Sequence, residues 1–86
     1  MHNPESSSAE PRVYDVRRRG EGFACDIEYK TNRLTIATDA TGKNMIPVAL
    51  TFGFGKIPTI EELENEQPAT LRTVQKAFDK FKETTQ

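Results

Sequence analysis

From residue 23 to residue 30, apolar and polar side chains alternate without a break. Phe23, Cys25, Ile27 and Tyr29 form one set, and Ala24, Asp26, Glu28 and Lys30 form the other. A period of two marks a strand with one buried face. Thr31 and Asn32 predict a tight turn, because Asn tolerates positive φ. Leu34, Ile36 and Thr38 then continue the alternation against Arg33, Thr35 and Ala37, which closes a hairpin. Asp39 followed by Gly42 fits a type I turn ended by a left-handed glycine. Over residues 45–52 the pattern predicts a returning strand with Ile46, Val48, Leu50 and Phe52 inward. Met45, Pro47, Ala49 and Thr51 then face outward, and Pro47, lacking an N–H, places this strand at an edge or at a bulge. Residues 12–18 predict a further short strand, and Gly20 and Gly22 punctuate the chain after it.

The period changes beyond residue 56. Thr59 with Glu62 three positions later matches a helix capping box and predicts a short helix over residues 60–66. Pro68 suits a first helical position. Leu71, Val74, Phe78 and Phe81 recur at three- and four-residue steps with Ala77 beside them, the signature of an amphipathic helix of about 15 residues.

One apolar sheet face and one apolar helix stripe bury each other, since each large side chain contributes roughly 1.5–3 kcal/mol on leaving water. The expected fold is α+β: a three- or four-stranded antiparallel β-meander with one C-terminal amphipathic helix packed on one face. The other face then presents Ala24, Asp26, Glu28, Lys30, Arg33, Thr35 and Ala37, with Met45, Pro47, Ala49 and Thr51.

Composition limits what such a domain does. Residues 1–11 are nearly devoid of apolar side chains and read as a disordered tail, leaving residues 12–86 for a single small domain. The 12 basic and 13 acidic residues give a net charge of −1, which favours neither a nucleic-acid partner nor an acidic mimic. One cysteine excludes an internal disulfide. No apolar run approaches membrane-spanning length and no signal peptide opens the chain, so a cytoplasmic protein is expected.

Candidate chemistry is sparse. His2, the single histidine, lies in the tail, and one His with one Cys cannot furnish a conventional zinc site. Cys25 falls in the apolar register and reads as a small buried hydrophobe. The acids Asp26, Glu28, Asp39, Glu61, Glu62, Glu64, Glu66 and Asp79 follow no calcium-loop spacing. The run Gly53-Phe54-Gly55-Lys56 lacks the glycine spacing and following Ser or Thr of a phosphate loop, and reads as a hinge with Phe54 as a contact residue. No cofactor is implied.

The basic residues are grouped. Arg17, Arg18 and Arg19 form a run, and Arg72, Lys76 and Lys80 recur every four positions along the last helix. The reading that follows is a non-enzymatic protein-interaction module, a small regulator, inhibitor or accessory subunit. It would act through an edge strand and the outer sheet face, with another protein or a second copy as partner. Its partner-binding residues would be Arg17, Arg18, Arg19, Asp26, Glu28, Phe54, Arg72, Lys76 and Lys80. The alternative is a nucleic-acid-binding domain using Arg17, Arg18, Arg19 and the helix ridge. A three-stranded sheet backed by one C-terminal helix resembles the architecture of integrase-arm and AP2-type DNA readers. None of their motifs is present, and Asp26 and Glu28 oppose a phosphate backbone on that face.

Overall fold

The computed structural model describes residues 11–51 and 55–84. The expectations for the N-terminal tail, for His2, for Phe52 and for Phe54 concern positions outside the described residues. Four strands run in sequence order: β1 (Val13–Arg19), β2 (Gly22–Tyr29), β3 (Asn32–Ala37) and β4 (Ile46–Leu50). Each pairs antiparallel with the next, giving one sheet ordered β1-β2-β3-β4. Two helices follow, α1 (Ile60–Glu66) and α2 (Pro68–Thr84). The expected α+β meander is the fold, with four strands.

The central hairpin follows the alternation. Phe23, Cys25, Ile27, Tyr29, Leu34 and Ile36 enter the core, where Leu71, Val74 and Phe78 of α2 meet them. Leu63 of α1 is equally buried there, so the short helix closes the core along with the long one. Tyr29 and Asn32 are register partners, which puts the turn at Lys30 and Thr31. The turn thus lies one residue earlier than Thr31-Asn32, and the positive φ (55°) falls on Lys30. The loop from β3 to β4 matches the expected type I turn: Gly42 N–H donates to the Asp39 carbonyl at 3.0 Å, with Gly42 at φ 76°. Gln75 of α2 donates to the Gly42 carbonyl at 2.8 Å and Lys82 to the Thr41 carbonyl at 3.0 Å, fastening this loop to the helix.

Both outer strands break the alternation. In β1, Tyr14 pairs with Asp26 and Arg17 with Ala24, so Asp15 and Val16 together oppose Cys25. Asp15 absorbs the extra residue in a left-handed conformation (φ 54°), which Asp tolerates better than most residues. In β4, Thr35 pairs with Ala49 but Ile36 with Pro47, leaving Val48 as the extra residue. Pro47 therefore marks both an edge and a bulge. The bulge also reverses part of the expected facing. Ile46 pairs with Ala37 on the outer face and is 54 % exposed, whereas Met45 packs against the core. Val48 is only half-buried and stands outside the core cluster.

The helices begin where capping chemistry dictates. Glu62 N–H donates to Thr59 Oγ1 at 3.1 Å and Thr59 N–H to Glu62 Oε1 at 2.9 Å, completing the capping box. Gln67 joins the helices: its N–H ends α1 on the Leu63 carbonyl, and its own carbonyl accepts from Thr70 and Leu71 at the start of α2. Among the described residues, no helix is long and apolar enough to cross a membrane.

Candidate partner-binding face of the sheet

The face of the sheet turned away from the helices is built by three strands in register. Tyr14 and Arg17 of β1 lie beside Asp26 and Ala24 of β2, which lie beside Thr35 and Ala37 of β3. Glu28 and Arg33 pair directly across β2 and β3. The β1 bulge gives this face both Tyr14 and Arg17, three positions apart, while Val13 and Val16 turn to the core.

These side chains bind one another. The Arg33 guanidinium lies over the Tyr14 ring, 3.6 Å from its centre, and the Tyr14 hydroxyl donates to Glu28 Oε2 at 3.0 Å. A second cluster centres on Asp26, whose Oδ1 accepts from Thr35 Oγ1 at 2.8 Å and from Arg17 at 3.3 Å. Arg17 is anchored further by donating to the Asp15 carbonyl at 2.8 Å. Each cluster couples one arginine to one carboxylate, so the face is locally neutral and its side chains are held before any partner arrives. Beyond the Asp26 cluster the face becomes apolar. Ala24 and Ala37, expected to be exposed, are sunk between longer neighbours, and Ile46 stands proud next to them. What this face exposes around the two buried alanines is therefore Tyr, Arg and Ile side chains.

The other basic residues lie elsewhere. Arg18 faces the helix side, its guanidinium carbon 5.3 Å from the centre of the Phe23 ring, and Arg19 is exposed at the strand end. Arg72, Lys76 and Lys80 are all exposed along α2. Arg17 and Arg18 thus point to opposite sides of the sheet, and the arginine run does not act as one patch. Arg33, expected on this face but not as a partner-binding residue, and Tyr14, not expected here, complete it. The Glu28–Arg33 pairing follows from the hairpin register, but the facing of Tyr14 depends on a bulge that no glycine signals.

Reactive groups are quiet. Cys25 is fully shielded, and its thiol is pushed up to about 12, by burial first and by the neighbouring Asp26 second, with Arg17 offsetting part of the shift. Among the described residues, no three His, Cys, Asp or Glu side chains gather to hold a metal ion. A polar cleft of about 430 Å3 lies where the β2–β3 turn meets α1, with Lys30, Lys56, Glu62 and Glu66 on its walls. Two of those carboxylates serve the fold: Glu62 caps α1, and Glu66 accepts from the Tyr29 hydroxyl at 3.3 Å. Comparison with known proteins gives no family model that matches the chain, no curated relative and no matching solved structure.

Proposed function

We propose that the chain is a non-enzymatic protein-interaction module whose partner, another protein, seats on the outer sheet face around Tyr14, Glu28 and Arg33. The observation that carries this reading is the Arg33 guanidinium stacked at 3.6 Å on Tyr14, with Glu28 bonded to the same tyrosine. Tyrosine and arginine dominate binding energy at protein interfaces, and holding them in place beforehand lowers the entropy lost on docking. The edges support strand addition less well. Both carry bulges, and β4 is a short strand containing Pro47, features that discourage pairing with another chain. A cytoplasmic setting accords with a single buried cysteine.

The test is affinity capture with the wild-type chain, with Arg33→Glu and with Lys76→Glu, each checked for folding by circular dichroism. A stoichiometric protein captured by wild type and by Lys76→Glu, and lost with Arg33→Glu, is the expected result. Capture that ignores Arg33→Glu but fails with Lys76→Glu would refute the face.

A nucleic-acid reading draws on the exposure of Arg72, Lys76 and Lys80, none of which forms an ion pair with another described residue. It is supported less well, because Arg17 is bound to Asp26 on the far side of the sheet. A low-salt mobility shift abolished by the triple alanine change at Arg72, Lys76 and Lys80 would favour it over the protein partner.

A further inference from the structure

The helix side of the sheet has its own opening, away from the Tyr14–Arg33 face. Val16, Ala77, Lys80, Phe81 and Thr84 line a shallow groove of about 300 Å3 between β1 and α2. Ala77, Phe81 and Thr84 follow at three- and four-residue steps, so one wall is a stripe along two turns of α2. The other wall is Val16, turned inward by the β1 bulge. The lining is mostly apolar and includes one cation. Lys80 is exposed on the helix rim. Arg18, outside the lining, is exposed two positions beyond Val16 in β1, 5.3 Å from the centre of the Phe23 ring, which in turn meets Phe81 edge-on at 5.9 Å. Neither cation forms an ion pair with a described residue, and no carboxylate is among the groove's described lining.

We infer that this groove docks an amphipathic helix of a partner protein whose apolar stripe is flanked by Asp or Glu. Charge complementarity selects the acidic flank, since carboxylates on the incoming helix meet Arg18 and Lys80 while its apolar side chains enter between Val16 and Phe81. Shape selects a helix over a strand. The left-handed bulge at Asp15 interrupts the β1 edge, whereas a helix laid beside α2 extends the existing helix-on-sheet layer over the margin of β1. This inference is independent of the outer-face reading.

Two synthetic amphipathic peptides test it: one with leucines at helical spacing flanked by glutamates, and one with every glutamate replaced by lysine. Titrated into the isotopically labelled full chain, the glutamate peptide binds at least about tenfold more tightly. Amide shifts cluster at Val16, Arg18, Ala77, Lys80 and Thr84. The exposed double change Arg18→Glu with Lys80→Glu removes or inverts that preference, and Arg33→Glu leaves it unaltered. The inference fails if the glutamate peptide does not bind at millimolar concentration, if both peptides bind equally, or if shifts fall on Arg33 and Ile46. It also fails if a DNA duplex displaces the peptide from the same residues at lower concentration, which would assign the two cations to phosphate.

Discussion

The central hairpin and the two outer strands obey different rules. Between β2 and β3, six consecutive pairs run from Ala24↔Ala37 to Tyr29↔Asn32 without a register shift. Every second residue is therefore inward, as the sequence pattern states. In β1 and β4 one extra residue interrupts the ladder. The inward residues there lie three apart, Val13 and Val16 in one strand and Pro47 and Leu50 in the other. Alternation thus describes an unbroken ladder, and a bulge shifts every residue on one side of it to the opposite face. At the edges this is useful: bulges blunt pairing and bring Tyr14 and Arg17 to the same surface.

The contrast is broken most forcefully by paired truncations. Ile27 is completely buried in the hairpin, whereas Ile46 is 54 % exposed at the edge. Urea unfolding of Ile27→Ala is expected to show a loss of about 2–5 kcal/mol. Ile46→Ala is expected to stay within about 0.5 kcal/mol of wild type. Similar losses for both would mean that β4 follows simple alternation after all.

A smaller effect of opposite sign belongs to the hairpin's own turn. Lys30 holds a left-handed backbone (φ 55°), a conformation that disfavours a side chain. Lys30→Gly is expected to raise stability by about 0.5–1 kcal/mol in the same assay, net of the lost contact between Lys30 and the Tyr29 ring. A loss would show that this contact outweighs the backbone strain.

The last test concerns the joint between the regions. Asp39 accepts hydrogen bonds from Thr41 and Asn44, which hold its carboxyl down at about 2 from an ordinary 3.8. With the folded value depressed, the unfolded chain binds the proton first. The associated stability is present above about pH 4 and is lost as pH falls towards 2. Asp39→Asn is expected to flatten this part of the pH profile. Hydrogen exchange in that window should show β4 amides losing protection before those of the hairpin, and the reverse order would place the acid-sensitive contact elsewhere.

The same contrast explains what was legible in the sequence. Alternation in the β2–β3 hairpin, the Asp39–Gly42 turn, the Thr59–Glu62 box and the helical spacing from Leu71 to Phe81 are local signals, and the structure follows each. The placement of the hairpin turn slipped by a residue because Asn32 was the better candidate for positive φ, yet pairing with Tyr29 occupies it. Pro47 announced an irregularity without revealing that Val48 is the surplus residue. For the candidate face, Asp26 and Glu28 were readable from their alternation. Arg17 is expected at the site only as a member of the arginine run, and Tyr14 is not expected there at all, because facing across a bulged pair is fixed by tertiary register. The split of Arg17 from Arg18 is elementary strand geometry, and it dissolves the cationic run that the sequence suggests.

Strand order equal to chain order has a consequence for biogenesis. On the ribosome all four strands emerge before α2, whose Phe78, Val74 and Leu71 cover them. The nascent sheet therefore has an interval in which Phe23, Ile27 and Ile36 have no lid, and its length is set by the time needed to translate the roughly 30 residues after β4 at about 5–20 residues per second. Chaperone engagement, or slower codons, would act on this protein in that interval of a few seconds.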